Sequence, residues 1–190
     1  SGGNVSSIEV EVRGEIASLD VSVLKLAGLK GFYQNAVTEQ VSYVNAPLMA
    51  ESRGVEVKLS VDSNSDEYRN VTTIRAVLAD GTTSSVSGTV IGPKLQQKIV
   101  NLNGYDVELA MAEHLVMMVY ADRPGIVAVY GKAFAENNIN IAAMQIARNS
   151  KGGKALSVIT VDSKVDAEVL EEVRVAIEAD VLKAIDLKLD

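Results

Sequence analysis

Residues 119–146, VYADRPGIVAVYGKAFAENNINIAAMQI, contain an Asp-Arg-Pro-Gly turn between an apolar segment and a segment with helical periodicity. The apolar segment begins upstream as HLVMMVYA (114–121), a continuous run that predicts a strand buried on both faces. After the turn, GIVAVYGKAFAEN (125–137) has the apolar spacing of an amphipathic helix. INIAAMQIA (139–147) then predicts a second strand. The stretch therefore indicates a strand, a turn, a helix and a strand.

The pattern continues with one more strand, helix and strand. ALSVITVD (155–162) is expected to form a hairpin with the strand before it, and DAEVLEEVRVAIEA (166–179) predicts a helix. VLKAIDLKL (181–189) alternates as a strand. The order βαββαβ is that of a ferredoxin-like unit, an antiparallel four-stranded sheet with both helices on one face. The uncovered sheet face and the edge strands favour pairing with a second copy.

The first half of the chain is β-rich and less regular. Its central turn signals are Asp80-Gly81 and Asn103-Gly104, each typical of a hairpin. The remaining predicted elements are strands over 8–17 and 55–61, a helix over 20–40 and a short helix over 44–54. We therefore expect an α+β chain, with a β-rich α/β domain over 1–111 and a ferredoxin-like domain over 112–190.

The predicted helix over 20–40 contains two glycines. Its buried side is expected to contain the apolar residues Val23, Leu24, Ala27 and Phe32. Gly28 and Gly31 lie between the last two of these in the sequence. Each glycine weakens a helix by about 1 kcal/mol relative to alanine. Close packing of the helix against a neighbour would explain why both are present.

Composition excludes several functional classes. The chain has 190 residues, no Cys and a formal net charge of −7, so disulfides, iron–sulfur clusters and thiol nucleophiles are ruled out. Cations are not clustered and there is no Trp, which argues against nucleic-acid binding. No apolar run reaches the roughly 18 residues of a membrane span. We expect a soluble, cytoplasmic protein with no membrane partner.

Motifs for catalysis and cofactor binding are missing from the sequence. There is no G-x-G-x-x-G between a strand and a helix, as a nicotinamide-binding site requires. The single histidine, His114, has no evident carboxylate or nucleophile partner, and no metal-spaced cluster stands out. We expect no catalytic residues, no metal site and no cofactor in this chain.

The Asp-Arg-Pro-Gly turn has two interpretations. Asp122 alone is explained as a helix cap, worth about 1 kcal/mol. It is equally suited to bind an ammonium group, while the neighbouring helix N-terminus suits a carboxylate. Together these groups would form a receptor for a zwitterion such as a free amino acid. Tyr120, on the same strand face as Asp122, and Asn140, at the start of the next strand, are the further candidates.

These motifs resemble those of one enzyme family. The stretch over 119–148 resembles the ACT domain of D-3-phosphoglycerate dehydrogenase, an enzyme of L-serine synthesis. VSYVNAPLMAESRGVEV (41–57), RAVLADGTTSSVSGTVIGPK (75–94) and QQKIVNLNGYDVEL (96–109) resemble the allosteric substrate-binding (ASB) domain of its long bacterial form. The similarity covers nearly the whole chain. The resemblance implies a C-terminal regulatory portion, because in the family the catalytic, NAD-binding domains precede these two domains.

The resemblance implies feedback inhibition by L-serine. In the family, two ACT domains pair into an eight-stranded sheet, and serine binds at their interface. The ligand-contacting positions of the family fall on Tyr120, Asp122 and Asn140. A homodimer is therefore implied, with a tetramer as a further arrangement of the intact enzyme.

The ASB resemblance implies a second effector site for a substrate or another anion. Lys98 matches a basic position of that site. Family members can add arginines where this chain has Ala110 and Thr160, so the match is incomplete. Lys98 and Lys94 are also explained as solvated surface charges.

Two alternatives stay open at this point. One is a regulatory portion of iron–sulfur L-serine dehydratase, which also combines an ASB-like and an ACT domain. The other is a dimerisation module that binds no ligand. The turn and the SGTVIGPK segment favour the dehydrogenase resemblance over the first alternative.

Overall fold

A computed structural model describes residues 4–187 and divides into two compact units, one ending at Asn103 and the other beginning at Gly104. The first unit contains a short 3-10 helix, two α-helices and five strands: β1 (Val5–Gly14), the 3-10 helix (Glu15–Ser18), α1 (Ser22–Gln34), α2 (Ala46–Ser52), β2 (Glu56–Asp62), β3 (Asn70–Leu78), β4 (Thr83–Ile91) and β5 (Gln96–Leu102). Within this unit the strands are ordered β2-β1-β3-β4-β5. Strands β1 and β2 are parallel, and the other neighbours are antiparallel.

The core of the first unit forms on one face of β1. Ile8, Val10 and Val12 are fully buried, while Glu9 and Glu11 between them are only half-buried. This alternation is the one expected for a strand with one apolar face. The expected hairpin turn at Asp80-Gly81 is present, since β3 and β4 are antiparallel neighbours and Gly81 adopts a φ of 84°. Gly104 adopts the same φ of 84°.

The predicted buried side of α1 is confirmed for Leu24 and Phe32, which pack against core clusters, and is wrong for Val23. Val23 is 56% exposed, and the buried residues of the helix are Gly28, Leu29 and Tyr33. The reason is the packing of Gly28, where an added Cβ would lie 3.2 Å from side-chain carbons of both Val10 and Ile74. Close approach at Gly28 turns Val23 toward solvent. The predicted close packing is thus confirmed at Gly28, but Gly31 has no neighbour within 4 Å of such a Cβ.

Gly31→Ala is expected to raise the free energy of unfolding by about 0.5–1 kcal/mol, because it removes a helix-interior glycine without creating a contact. Gly28→Ala is expected to lower it by about 1 kcal/mol, because its methyl group crowds the side chains of two strands. Urea unfolding of the two variants measures both effects. Equal shifts for the two variants would contradict this account of the helix.

The second unit contains five strands and two helices: β6 (Tyr105–Ala110), β7 (His114–Ala121), α3 (Ile126–Glu136), β8 (Ile141–Arg148), β9 (Lys154–Val161), α4 (Ala167–Ala176) and β10 (Val181–Asp186). From β7 onward the order is βαββαβ, and the sheet order is β10-β7-β9-β8 with all neighbours antiparallel. The ferredoxin-like prediction is confirmed. The end of the predicted strand over 181–189, from residue 188 on, lies outside the described residues.

The division between the units falls at Asn103, whereas the sequence placed the boundary between 111 and 112. Strand β6 accounts for the difference. The backbone N–H of Glu108 in β6 donates a hydrogen bond of 2.7 Å to Gln145 Oε1 in β8. Contacts of this kind group β6 with the strands that follow it.

The helices of the second unit cover one face of the sheet. The buried cluster on this face joins strand residues such as Val116 and Ile159 to Tyr130 and Phe134 of α3 and Val173 of α4. This packing is the one expected for two amphipathic helices on an antiparallel sheet.

The sequence predicts that the opposite face of the sheet is uncovered, and this prediction is wrong. Leu115, Leu156 and Val158 alternate with residues of the helix-side cluster, yet all three are buried. The other prediction, that β7 is buried on both faces, agrees better with the structure, although Met117 and Val119 are only half-buried. Exposed apolar side chains lie instead along the edge strand β8.

No helix within residues 4–187 combines the length and the apolar character needed to cross a membrane.

Candidate functional site

The Asp-Arg-Pro-Gly turn links β7 to α3. Strand β7 ends at Ala121, and the N-cap position of α3 is Gly125, in the left-handed region with φ 91°. The interpretation of Asp122 as the helix cap is therefore wrong, because the left-handed Gly125 supplies the entry to the helix. The backbone N–H of Asp122 donates instead to the carbonyl of Gly153, at 2.8 Å. This bond fixes the turn against the loop before β9.

The Asp122 carboxylate has a cationic partner. Its Oδ2 lies 3.3 Å from Nη1 of Arg148, the last residue of β8. The two strands meet at this end of the sheet because Ala121 is paired with Lys154 and Arg148 with Ala155 in β9. In this register Ala155 of β9 lies between Tyr120 of β7 and Arg148 of β8. Sequence reasoning missed Arg148, whose only signal was its position directly after the strand predicted over 139–147.

Two further ion pairs lie at the same end of the sheet. Arg123 Nη2 is 3.2 Å from Glu178 Oε1, and Lys154 Nζ is 3.1 Å from Asp180 Oδ2. The Asp122 side chain is 24% exposed, against 77% for Glu178 and 47% for Asp180. Asp122 is therefore the least exposed carboxylate among these three ion pairs.

Tyr120 lies in the helix-side core beneath the turn. The residue is 2% exposed, and its hydroxyl is 2.6 Å from Ser157 Oγ. Nearby, the Tyr130 hydroxyl donates to the Met144 sulfur at 2.9 Å. Burial raises the pKa of Tyr130, and a hydrogen bond with Ser157 opposes that rise. Since Asp122 follows the end of β7, the expected shared strand face of Tyr120 and Asp122 does not extend to the turn.

Asn140 lies at the other end of the sheet. Its Nδ2 donates to Asp162 Oδ2 at 2.7 Å, and its carbonyl accepts the backbone N–H of Asp162 at 3.3 Å. The backbone of Asp122 is hydrogen-bonded to Gly153, which precedes β9, and the backbone of Asn140 is hydrogen-bonded to Asp162, which follows β9. At about 3.3 Å per residue the two sites are about 30 Å apart. One chain therefore does not bring Asp122 and Asn140 together.

The candidate of the first unit, Lys98, lies in β5 opposite Thr89 and is half-buried. Lys94 is exposed, as expected for a solvated charge. Ala110 ends β6 and Thr160 lies in β9, where its hydroxyl donates to the Ala143 carbonyl at 3.4 Å.

His114 has a carboxylate partner that the sequence did not indicate. Its Nδ1 is 2.7 Å from Asp186 Oδ1, because β7 and β10 pair these two residues. The hydrogen bond from His114, with the nearby Lys164 ammonium, holds the pKa of Asp186 below its usual value. Over residues 4–187 no group of three or more His, Cys, Asp or Glu is arranged to hold a metal ion.

The sheet order β10-β7-β9-β8, with two helices on one face, is that of a ferredoxin-like unit, the architecture that ACT regulatory domains share. Residues 114–178 match the ACT domain family, and residues 1–103 match the family described as the D-3-phosphoglycerate dehydrogenase intervening domain. The chain belongs to the D-3-phosphoglycerate dehydrogenase intervening-domain family and carries a regulatory ACT domain behind it.

Named relatives support the same assignment. D-3-phosphoglycerate dehydrogenase of Mycobacterium leprae (strain TN) is 34% identical over 96% of this chain and 34% of its own length. The enzyme of Mycobacterium bovis is 36% identical over 95% and 34%, and that of Bacillus subtilis (strain 168) is 31% identical over 96% and 34%. The chain spans about a third of the length of the curated relatives it matches.

Proposed function

We propose that this chain is the regulatory portion of a cytoplasmic D-3-phosphoglycerate dehydrogenase and binds L-serine between two paired ACT domains. The parent enzyme would be an NAD-dependent oxidoreductase of L-serine synthesis, with its cofactor bound in domains outside this chain. The family membership and the names of the relatives support the parent enzyme. All of the named relatives are dehydrogenases, which favours this enzyme over L-serine dehydratase.

The observation that carries the proposal is the separation of Asp122 from Asn140. Strands β7 and β8 are both antiparallel to β9 and are therefore parallel to each other. A second copy that adds its β8 antiparallel to this β8 brings the start of one strand beside the end of the other. Asn140 of the partner subunit then approaches the Asp122 turn. Two sites per dimer follow from the two-fold symmetry.

The edge strand β8 is suited to this pairing. Its side chains Ala142, Met144 and Ile146 are exposed, as is Val127 on the adjoining helix α3. An exposed apolar edge strand is a template for strand addition. Pairing there continues two four-stranded sheets into one of eight strands.

The energetics permit a useful affinity. L-serine has seven heavy atoms, and a small ligand gains at most about 1.5 kcal/mol per atom, or about 10 kcal/mol in all. Micromolar binding needs about 8 kcal/mol. Most polar groups of the ligand must therefore be paired, which an enclosed interface achieves better than an open turn.

The test is calorimetric titration of the chain with L-serine, with D-serine and glycine as ligand controls. We expect saturable binding of L-serine, and its loss in Asp122→Ala, because the ammonium group loses its carboxylate partner. The control Asp180→Ala removes a carboxylate at the same end of the sheet and should bind normally. A folded, dimeric chain that ignores L-serine would contradict the proposal.

A second candidate function is assembly without a ligand. The exposed apolar edge of β8 is the observation that favours it. Linkage separates the two functions, because a ligand that binds across an interface must tighten that interface by the same factor. Dimer dissociation constants that are equal with and without L-serine would support the assembly module.

A further inference from the structure

Arg148 has donors that the ion pair does not use. A guanidinium carries five N–H groups in a fixed fork, and here one nitrogen, Nη1, contacts the Asp122 carboxylate. The Arg148 side chain is 58% exposed, so the rest of the fork is open to the surroundings of the turn. The pair thus presents an anion and a cation side by side at the place where the proposed site lies.

We infer that Arg148 binds the α-carboxylate of the amino-acid effector while Asp122 binds its α-ammonium. This inference rests on the proposed function and assigns a specificity-determining residue to it. In the free chain the two side chains neutralise each other across 3.3 Å. The ligand inserts its own two charges between them, so that one direct ion pair is replaced by two charge-assisted contacts.

Arg148 is better placed for this role than the other cations at this end of the sheet. Arg123 is held by Glu178 and by the Ile177 carbonyl, on the side of the turn that faces the end of α4. Lys154 is held by Asp180. Arg148 alone among the three is paired with Asp122. It also ends the edge strand β8, beside which the partner's Asn140 is proposed to lie.

The pairing also explains how the site rejects partial ligands. A lone cation must displace Arg148 from Asp122 and gains nothing from the freed guanidinium. A lone anion must displace Asp122 from Arg148 in the same way. A zwitterion pairs with both side chains at once, so neither charge of the original ion pair is left without a partner. The arrangement therefore selects for α-amino acids.

The test combines one substitution with two ligand analogues. Arg148→Gln is expected to weaken L-serine binding about tenfold or more, because a charge-assisted contact to the carboxylate is lost. Ethanolamine, which is serine without its carboxylate, is expected to bind Arg148→Gln more tightly than it binds the unaltered chain, because it no longer has to displace Arg148 from Asp122. 3-Hydroxypropionate, which lacks the ammonium group, is expected to bind neither the unaltered chain nor Arg148→Gln.

The matched control is Arg123→Gln, which removes a guanidinium from the same turn and should leave L-serine affinity unchanged. Thermal unfolding and sedimentation check that each variant is folded and dimeric. The inference is overturned if Arg148→Gln binds L-serine as the unaltered chain does, or if ethanolamine loses as much affinity as L-serine. In those cases, loss of L-serine binding in Asp122→Ala would still support the proposed function. Absence of L-serine binding to the unaltered chain overturns both.

Discussion

Mixing the Asp122→Ala and Asn140→Ala variants is expected to restore L-serine binding that neither variant has on its own. In a homodimer of the first variant both sites lack Asp122, and in a homodimer of the second both sites lack Asn140. A heterodimer of the two variants contains one site with Asp122 and the partner's Asn140 both intact. With random exchange of subunits, half of the dimers are mixed, and about a quarter of the original binding capacity returns. Calorimetry before and after co-refolding measures it.

This expectation follows from the position of the two residues at opposite ends of β9, about 30 Å apart in one chain. The control mixes Asp122→Ala with a chain carrying both substitutions, since no dimer in that mixture has an intact site. No recovery in the first mixture, with exchange shown by differently tagged chains, would mean that the site is not shared. Equal recovery in both mixtures would point to binding elsewhere.

Gly14→Ala is expected to destabilise the first unit by about 3 kcal/mol or more. Gly14 ends β1 with φ 99° and ψ −159°, a region that is essentially limited to glycine. An added Cβ would also overlap the backbone carbonyl oxygen of Arg69, which accepts the N–H of Glu15. Backbone atoms of a neighbouring strand cannot rotate away as a side chain can. Urea unfolding followed by circular dichroism measures the loss.

The matched control is Gly81→Ala in the β3–β4 turn. Gly81 also has positive φ, at 84°, but an added Cβ there has no neighbour within 4 Å. Its cost is conformational only, about 1–2 kcal/mol. If the two substitutions cost the same, the contact with Arg69 is not what requires glycine at position 14.

The sequence predicts the second unit well because its signals are local. The apolar run of β7 and the periodicity of α3 and α4 determine their own elements, and the order βαββαβ then limits the sheet to few arrangements. The same kind of local signal placed the turns at Gly81 and Gly104, where a positive φ favours glycine.

Features that depend on tertiary packing were not predictable. The helical pattern predicts close packing at Gly28 but not its partners, Val10 and Ile74, which lie on two different strands. The pairing of Asp122 with Arg148 depends on strand register across β9. A sequence pattern selects residue types, but it contains no distance between residues 26 positions apart. The sequence therefore indicates which residue types can bind the ligand, whereas the strand register determines which of them lie close together.

The parallel run of β7 and β8 has a consequence for how such a sensor would respond. Because it separates Asp122 from Asn140 within a chain, the proposed site would be complete only while two chains are associated. Occupancy would then report two events at once, the presence of the metabolite and the presence of a second subunit. On dilution the response would fall more steeply than the ligand concentration alone dictates. The sheet topology would make the domain a coincidence detector.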